Sequence, residues 1–279
     1  MSLKITEADI EAYQNDGAVL IKGLLNDQEV SDLREGIEAN ISNPSLKSKI
    51  ASNENDPGWF LEDFCTWKEN PSYQRIIFQS SVPEAAAKLM CSKQVRLYHD
   101  HMLVKKKGTL QRTPWHQDQP YYNIEGKQNI SFWIPVDPVP LEWTLELVAG
   151  SHKGPWYMPR NFLENQAKWF PEGSLSEIPD IDSNPEKYPV LKWVLKPGDA
   201  VAFHMLTLHS GEGTGSLRRV FSIRMLGDDI IHAPRSWETS PDFPGLSDQL
   251  PAGKPMDHEL FPLLSLIHIS EPTRPLYIS

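Results

Sequence analysis

The sequence predicts a mainly β protein with flanking helices, a jelly-roll, on three observations. Helical periodicity is confined to the part before about residue 92. From Val95 onward, short runs of β-branched and aromatic residues alternate with Pro- and Gly-rich turns. One of those runs, Thr113 to Tyr122 (TPWHQDQPYY), sets a His and an Asp two residues apart among β-compatible neighbours. Several short strands after a helical start imply a double-sheet fold that encloses a site between its sheets.

Taken in order, Thr6 caps a helix over Glu7 to Asn15, with Ile10 and Tyr13 on one face and Asp16-Gly17 as its stop. Ala18 to Ile21 reads as a short strand. Asp27 caps a second helix, with Val30, Leu33 and Ile37 at helical spacing. Residues 43–58 are polar and read as a loop. Pro71 to Gln79 and Pro83 to Met90 are two further helices, the second with an Ala-rich stretch that suits close packing on a sheet. Val95 to Val104 (VRLYHDHMLV) is a strand, and Lys105 to Gly108 a charged turn with its lysines in solvent. The next strand brings in Trp115, His116 and Asp118. Asn129 to Pro135 (NISFWIP) and Thr144 to Val148 alternate as strands do. Between Ser151 and Trp193 lies a long insert rich in Pro and aromatics (Trp156, Tyr157, Phe162, Trp169, Phe170), placed here as a lid carrying substrate contacts. Pro197-Gly198-Asp199 is a turn, and the strands carrying His209 and Arg218 follow it.

Residues 1–264 are therefore expected to form one domain, with a helical part over about 1–92, a β core over about 93–235 and the insert over about 151–194. The stretch from Ser265 (SLIHISEPTRPLYIS) continues no β pattern and resembles adapter read-through, so 265–279 is expected to be a non-native or disordered tail.

A net charge of −10, from 27 basic and 37 acidic residues, argues against broad nucleic-acid binding, which needs a basic footprint. No run is apolar for long enough to make a membrane helix, and the acidic residues of the first segment do not suit a signal peptide. With Cys65 and Cys91 as the 2 cysteines and no CxxC, a cytoplasmic protein is expected. Oligomeric state is not readable.

His116 and Asp118, at a spacing of two, face the same way on an extended strand, whereas Gln117 faces the other. A third ligand is offered downstream by His209, next to the end of AVAFHMLTLHS. Two imidazoles and one carboxylate with open positions is the ligand set of non-haem iron(II) oxygenases, whereas a closed structural zinc site wants four ligands. Arg218 and Arg219 stand on the following strand (RRVFSIRML), and a guanidinium fork suits the carboxylate of an acidic co-substrate.

These blocks, WHQDQPYY, VAGSHKG, PGDAVAFH and RRVFSIRMLGDD, resemble in order the phytanoyl-CoA dioxygenase family of iron(II)/2-oxoglutarate oxygenases, from about the first helix to about Phe261. The resemblance implies the double-stranded β-helix form of the jelly-roll, helices backing one sheet, and a small-molecule substrate. It implies iron(II) held by His116, Asp118 and His209 as the catalytic centre, with 2-oxoglutarate and O2 as co-substrates. Hydroxylation of an unactivated C–H bond with release of succinate and CO2 is then expected. Related halogenases carry Gly or Ala at the position of Asp118, which favours hydroxylation here.

Competing residues remain. His204 lies five residues before His209, an odd spacing that points it the opposite way, and the resemblance favours His209 in HSGEGTG. His99 and His101 form an HxH and read as strand residues lining or backing the pocket, and His152 as a turn residue. Only one of Arg218 and Arg219 can face the site, and the resemblance favours Arg218 as the anchor, leaving Arg224 structural. Gln117 and Trp133 match family positions near 2-oxoglutarate, though a sheet-face amide and a core indole fit them as well. The aromatic insert favours an apolar or amphipathic substrate, with Arg112 available to grip a carboxylate or phosphonate. The reading from another class is a cupin-like metal-binding isomerase or small-molecule binding protein, which has no use for the arginine clamp.

Overall fold

A computed structural model describes residues 5–160, 174–237 and 239–266. The helical opening follows the caps. Helix α1 (Glu7–Asp16) begins at Thr6, whose hydroxyl and Asp9 cap each other, and ends at Gly17 in the left-handed conformation. That glycine is required: at φ 76° a Cβ would collide with His152 and Thr207. Strand β1 (Ala18–Ile21) follows as expected. Helix α2 (Asp27–Ser42) is capped by Asn26 with Glu29 completing the box; Asp27 is its first residue and not its cap. Its Val30, Leu33 and Ile37 are buried, as their spacing requires.

The polar stretch after α2 holds a two-residue strand, β2 (Lys49–Ile50), and leads into β3 (Phe60–Phe64), which the sequence pattern did not disclose. FLEDF lacks alternation between apolar and polar residues, because both of its faces are covered. Helices α3 (Pro71–Gln79) and α4 (Val82–Met90) start on prolines in the first turn. Strand β4 (Gln94–Lys105) runs one residue past Val104, so Lys105 belongs to the sheet and is buried rather than solvated.

Strand β5 (Thr113–His116) is followed by β6 (Ile124–Glu125), β7 (Asn129–Pro135), β8 (Leu145–Val148), β9 (Val190–Leu191), β10 (Ala200–Phe203), β11 (His209–Gly211) and β12 (Arg218–Leu226). The chain closes with β13 (Ile231–His232), the short α5 (Leu246–Gln249) and β14 (Leu263–Leu266), which pairs with β4. Pairing therefore extends through Leu266, two residues beyond the expected end at 264; the rest of the tail lies outside the described residues.

One large antiparallel sheet runs β1-β10-β7-β12-β4-β3-β2, with β14 on β4, and faces a smaller sheet of order β5-β11-β8-β9. This is the predicted jelly-roll. The four longer helices cover the outer face of the large sheet, where Leu33, Ile37, Ile76, Ala85 and Ala86 meet Met102, Phe132, Phe221 and Ile223 in the main core. The inner face turns toward the smaller sheet and encloses the cavity. Among the described residues no helix is long and apolar enough to cross a membrane.

Candidate metal centre and co-substrate pocket

Strand pairing brings the two imidazoles together. His209 on β11 is the antiparallel partner of His116 on β5, the edge strand of the small sheet. Each ring is oriented by a backbone carbonyl two residues earlier: His116 Nδ1 lies 2.8 Å from Pro114 O, and His209 Nδ1 2.9 Å from Thr207 O. A carbonyl only accepts, so Nδ1 carries the proton and each Nε2 lone pair is left facing inward.

Asp118 reaches the same point by another route. The strand ends at His116, and Asp118 has α-helical dihedrals at the head of a short 3-10 turn. The expected convergence holds, but through a turn and not through strand parity. That turn is pinned by Met205 O, which accepts from the N–H groups of Asp118 (2.8 Å) and Gln119 (2.9 Å). Asp118 Oδ1 lies 3.7 Å from His116 Nε2 and 3.6 Å from His209 Nε2. One ligand atom from each of the three residues falls within 4.8 Å of the others, and all three residues are buried.

The second carboxylate oxygen is taken by a residue the sequence reading left structural. Arg224 on β12 donates through Nε (3.3 Å) and Nη2 (3.2 Å) to Asp118 Oδ2, and Ser131 Oγ approaches the same oxygen at 3.3 Å. With Oδ2 engaged, Oδ1 alone is presented to the imidazoles. Burial by itself raises the Asp118 pKa, but Arg224 and then the imidazoles outweigh it and hold the group well below the usual carboxylate range. Burial, then His209, pulls His116 down to about 3, and burial lowers His209 as well. The triad therefore rests as one carboxylate and two neutral imidazoles, the protonation state a divalent cation needs.

Beside the triad, a cavity of about 240 Å³ opens between the sheets, far more than one water requires. Every second residue of β12, Arg218, Val220, Ser222 and Arg224, lines it. Parity thus decides between the adjacent arginines. Arg218 faces inward, buried, its guanidinium 5.7 Å from the Trp133 ring centroid and donating to Trp143 O and Glu212 O. Arg219 faces outward onto Asp137 and Glu38. Trp133 lines the cavity as expected.

Lys105, the register partner of Arg218, also lines the cavity. Its ammonium is held by Gln111 O (2.7 Å), Glu212 O (2.9 Å) and Gly211 O (3.4 Å). Among the described residues neither Lys105 nor Arg218 has a carboxylate at ion-pair distance. Burial and then Arg218 pull Lys105 well below its ordinary value, and burial takes Arg218 to about 10. Two buried cations bonded only to carbonyls are under-compensated, and an anion between them relieves both.

Gln117 and Arg112 depart from expectation, whereas His204, His99 and His101 lie where they were expected. Gln117 does not reach the cavity. Its amide donates to Leu206 O (2.8 Å) and Pro155 O (3.1 Å) and accepts from Tyr157 N (2.8 Å), so it ties the insert to the segment before His209. The strand reading already points it away from its neighbours, and the position it shares with the family is not a contact here. Arg112 is consumed by Asp182, Glu212 and Glu146. His204 bonds Lys127 O at 2.9 Å and the Leu206 N–H at 3.0 Å, in the core. His101 lines the cavity and His99 is buried behind it. Of the insert, Arg160 lines the cavity, whereas Trp156 stacks with Arg235 at 5.3 Å; Phe162, Trp169 and Phe170 lie outside the described residues.

Comparison with known proteins agrees with this arrangement. The family model described as phytanoyl-CoA dioxygenase matches residues 13–220. No curated protein matches the chain. Among solved structures, the non-heme alpha ketoglutarate dependent carbocyclase SnoK from nogalamycin biosynthesis is 20% identical at a TM-score of 0.72, covering 94% of this chain and 97% of its own. The epimerase SnoN from the same biosynthesis is 21% identical at 0.72, covering 92% and 97%. EctD from S. alaskensis is 15% identical at 0.62, covering 80% and 77%. At these identities the likeness is one of fold.

Proposed function

The chain belongs to the phytanoyl-CoA dioxygenase family, and from that premise we propose that it is an iron(II)- and 2-oxoglutarate-dependent enzyme that hydroxylates an unactivated C–H bond of a small organic substrate. In this reading residues 1–264 work as one catalytic unit. The observation that carries it is the placement, on one cavity, of a neutral-imidazole and carboxylate triad beside two buried cations that have no carboxylate at ion-pair distance among the described residues. SnoN has been solved with Fe3+ and alpha ketoglutarate, and EctD with 2-oxoglutarate and 5-hydroxyectoine, which supports the same pairing of metal and co-substrate here.

His116 Nε2, His209 Nε2 and Asp118 Oδ1 would hold the metal, a two-nitrogen, one-oxygen donor set that suits iron(II) and leaves positions open. Iron(II), 2-oxoglutarate and O2 together supply the oxidising chemistry, with succinate and CO2 as by-products. Arg218 would hold the far carboxylate of 2-oxoglutarate with its free N–H donors, stacked on Trp133 so that the fork keeps its orientation. Lys105 has its three hydrogens engaged by carbonyls, so its part is electrostatic. Arg224 keeps Asp118 ionised and one-armed. The apolar walls, among them Trp133, Phe203 and Val220, exclude water from the reacting centre. A cupin-like protein with no acidic co-substrate has no use for paired buried cations on its cavity wall.

Anaerobic titration with iron(II) and then 2-oxoglutarate tests the reading. A weak visible charge-transfer band is expected, and its absence overturns the assignment. Under 18O2, the product is expected to gain one labelled oxygen. A ring-closed or epimerised product would retain the metal centre and overturn hydroxylation.

A further inference from the structure

The inner face of the large sheet carries a carboxylate that neither the metal triad nor the anion site uses. Phe60, Glu62 and Phe64 alternate along β3 toward the cavity, and Glu62 is only 3% exposed. Its Oε1 lies 3.3 Å from His101 Nε2 on β4, whose ring stacks on Phe64 at 3.9 Å. Its Oε2 lies 3.3 Å from Lys49 Nζ but makes no hydrogen bond among the described residues. Lys49 is 47% exposed, so this attraction is made at the rim in competition with water. Burial pulls His101 down to about 4, which leaves the imidazole neutral. The carboxylate is thus buried on the cavity wall between Lys49 at the rim and His101 beside it, with accepting capacity left for a donor that enters the cavity.

We propose that Glu62 is the specificity-determining acceptor for a hydroxyl group of the substrate, which the structure assigns to the class of neutral hydroxylated molecules with an apolar body. The inference rests on the proposed iron and 2-oxoglutarate reading, because that reading fixes which end of the substrate reacts. The register gives the path: Glu62 pairs with Leu103, and Leu103 with Val220, so an apolar floor leads from the carboxylate across β4 to β12. Two strand spacings make that path on the order of 10 Å, enough for a ring-sized body between Glu62 and the strand that carries Arg224. An ionised carboxylate only accepts hydrogen bonds, so it selects a donor and repels an anion. A cationic donor is disfavoured beside Glu62, because the Lys49 ammonium already stands 3.3 Å from the same carboxylate. A neutral hydroxyl meets the hydrogen-bonding need without adding charge.

The test uses the anaerobic protein loaded with iron(II) and saturating 2-oxoglutarate, which fills the anion site, and compares cyclohexanemethanol with cyclohexanecarboxylate by saturation-transfer NMR. The alcohol is expected to bind at least about tenfold more tightly than the carboxylate, Glu62→Gln to shrink that ratio to about twofold, and Glu62→Ala to weaken the alcohol about fivefold or more. The charge-transfer band, measured on each sample, shows that each variant is folded and loaded. Equal binding of the two probes, no binding of the alcohol, or a ratio unchanged in Glu62→Gln with the band intact overturns the role of Glu62 alone. Loss of the band in the unmodified protein overturns the iron reading and this one with it.

Discussion

Arg224 donates two hydrogen bonds to a single oxygen of Asp118, at 3.3 and 3.2 Å, and so leaves the other oxygen to face His116 and His209. The two residues are separated by 106 positions in sequence and meet only because β12 runs along the cavity floor beneath the turn that ends β5.

This contact makes Arg224 a positioning residue for the metal. Replacing it with Met is expected to weaken cobalt(II) or iron(II) binding by about 10- to 100-fold, the usual effect of losing an outer partner of a metal ligand. Lys at the same position restores charge but not the two-armed geometry, so partial recovery is expected. Cobalt(II) absorption reads out both affinity and coordination. Unchanged affinity in Arg224→Met would mean that Asp118 is held in place without Arg224.

The division of labour between the adjacent arginines is also measurable. Arg218→Ala is expected to raise the 2-oxoglutarate concentration needed to form the visible chelate by about 10- to 100-fold, the range for losing charge-assisted hydrogen bonds. Lys105→Met should raise it less, since its contribution is charge without direct donation. Arg219→Ala should leave it unaltered, because that side chain bonds Asp137 and Glu38 on the outer surface. An equal effect of Arg219→Ala would reverse the assignment.

Gln117 provides a contrasting case. Gln117→Leu removes a side chain that accepts from Tyr157 N and donates to Pro155 O and Leu206 O, leaving those backbone groups unpaired. A destabilisation of about 1–3 kcal/mol is expected, seen as a lower melting temperature. Affinity for 2-oxoglutarate should stay within about twofold. A selective loss of that affinity with no loss of stability would return Gln117 to the co-substrate site.

Acid sensitivity follows from the buried imidazoles. Burial takes His101 and His204 each down to about 4, and His99 well below the ordinary value. In the unfolded chain these groups protonate near pH 6.5. The unfolded state therefore binds more protons below that pH, and the stability from keeping the rings neutral is complete above about pH 6.5 and lost as pH falls toward 4. Asp100 works in the opposite sense: burial lifts it to about 6, so the folded state gains relative stability as pH falls from there toward its unfolded value. These three rings, joined by His116 and His209 in metal-free protein, outweigh the one carboxyl and leave a net loss on acidification, up to about 1.4 kcal/mol per pH unit for each uncompensated group. Melting of chelator-treated protein between pH 7.5 and 4.5 should show a steady fall, and a flat profile would contradict it.

Much of the site was legible in the chain itself. HQD at a spacing of two, a distant His before a glycine-rich loop and an arginine pair on the next strand name the donors, because local chemistry restricts which residues can bind a cation or a carboxylate. The helices followed from caps and periodicity; strand parity said that only one of Arg218 and Arg219 faces the site, and the family resemblance chose Arg218. Only the tertiary structure decided the rest. It showed that β5 stops at His116 and Asp118 turns to reach the two imidazoles, that Lys105 is the last residue of a buried strand, and that Gln117 braces the insert. It also placed Arg224 against Asp118 and Glu62 on the cavity wall. The physical reason is common to all of these: a side chain's face depends on where its strand ends, and its partners lie on strands far away in sequence. Periodicity reports which residues share a face; pairing between distant strands determines what that face meets.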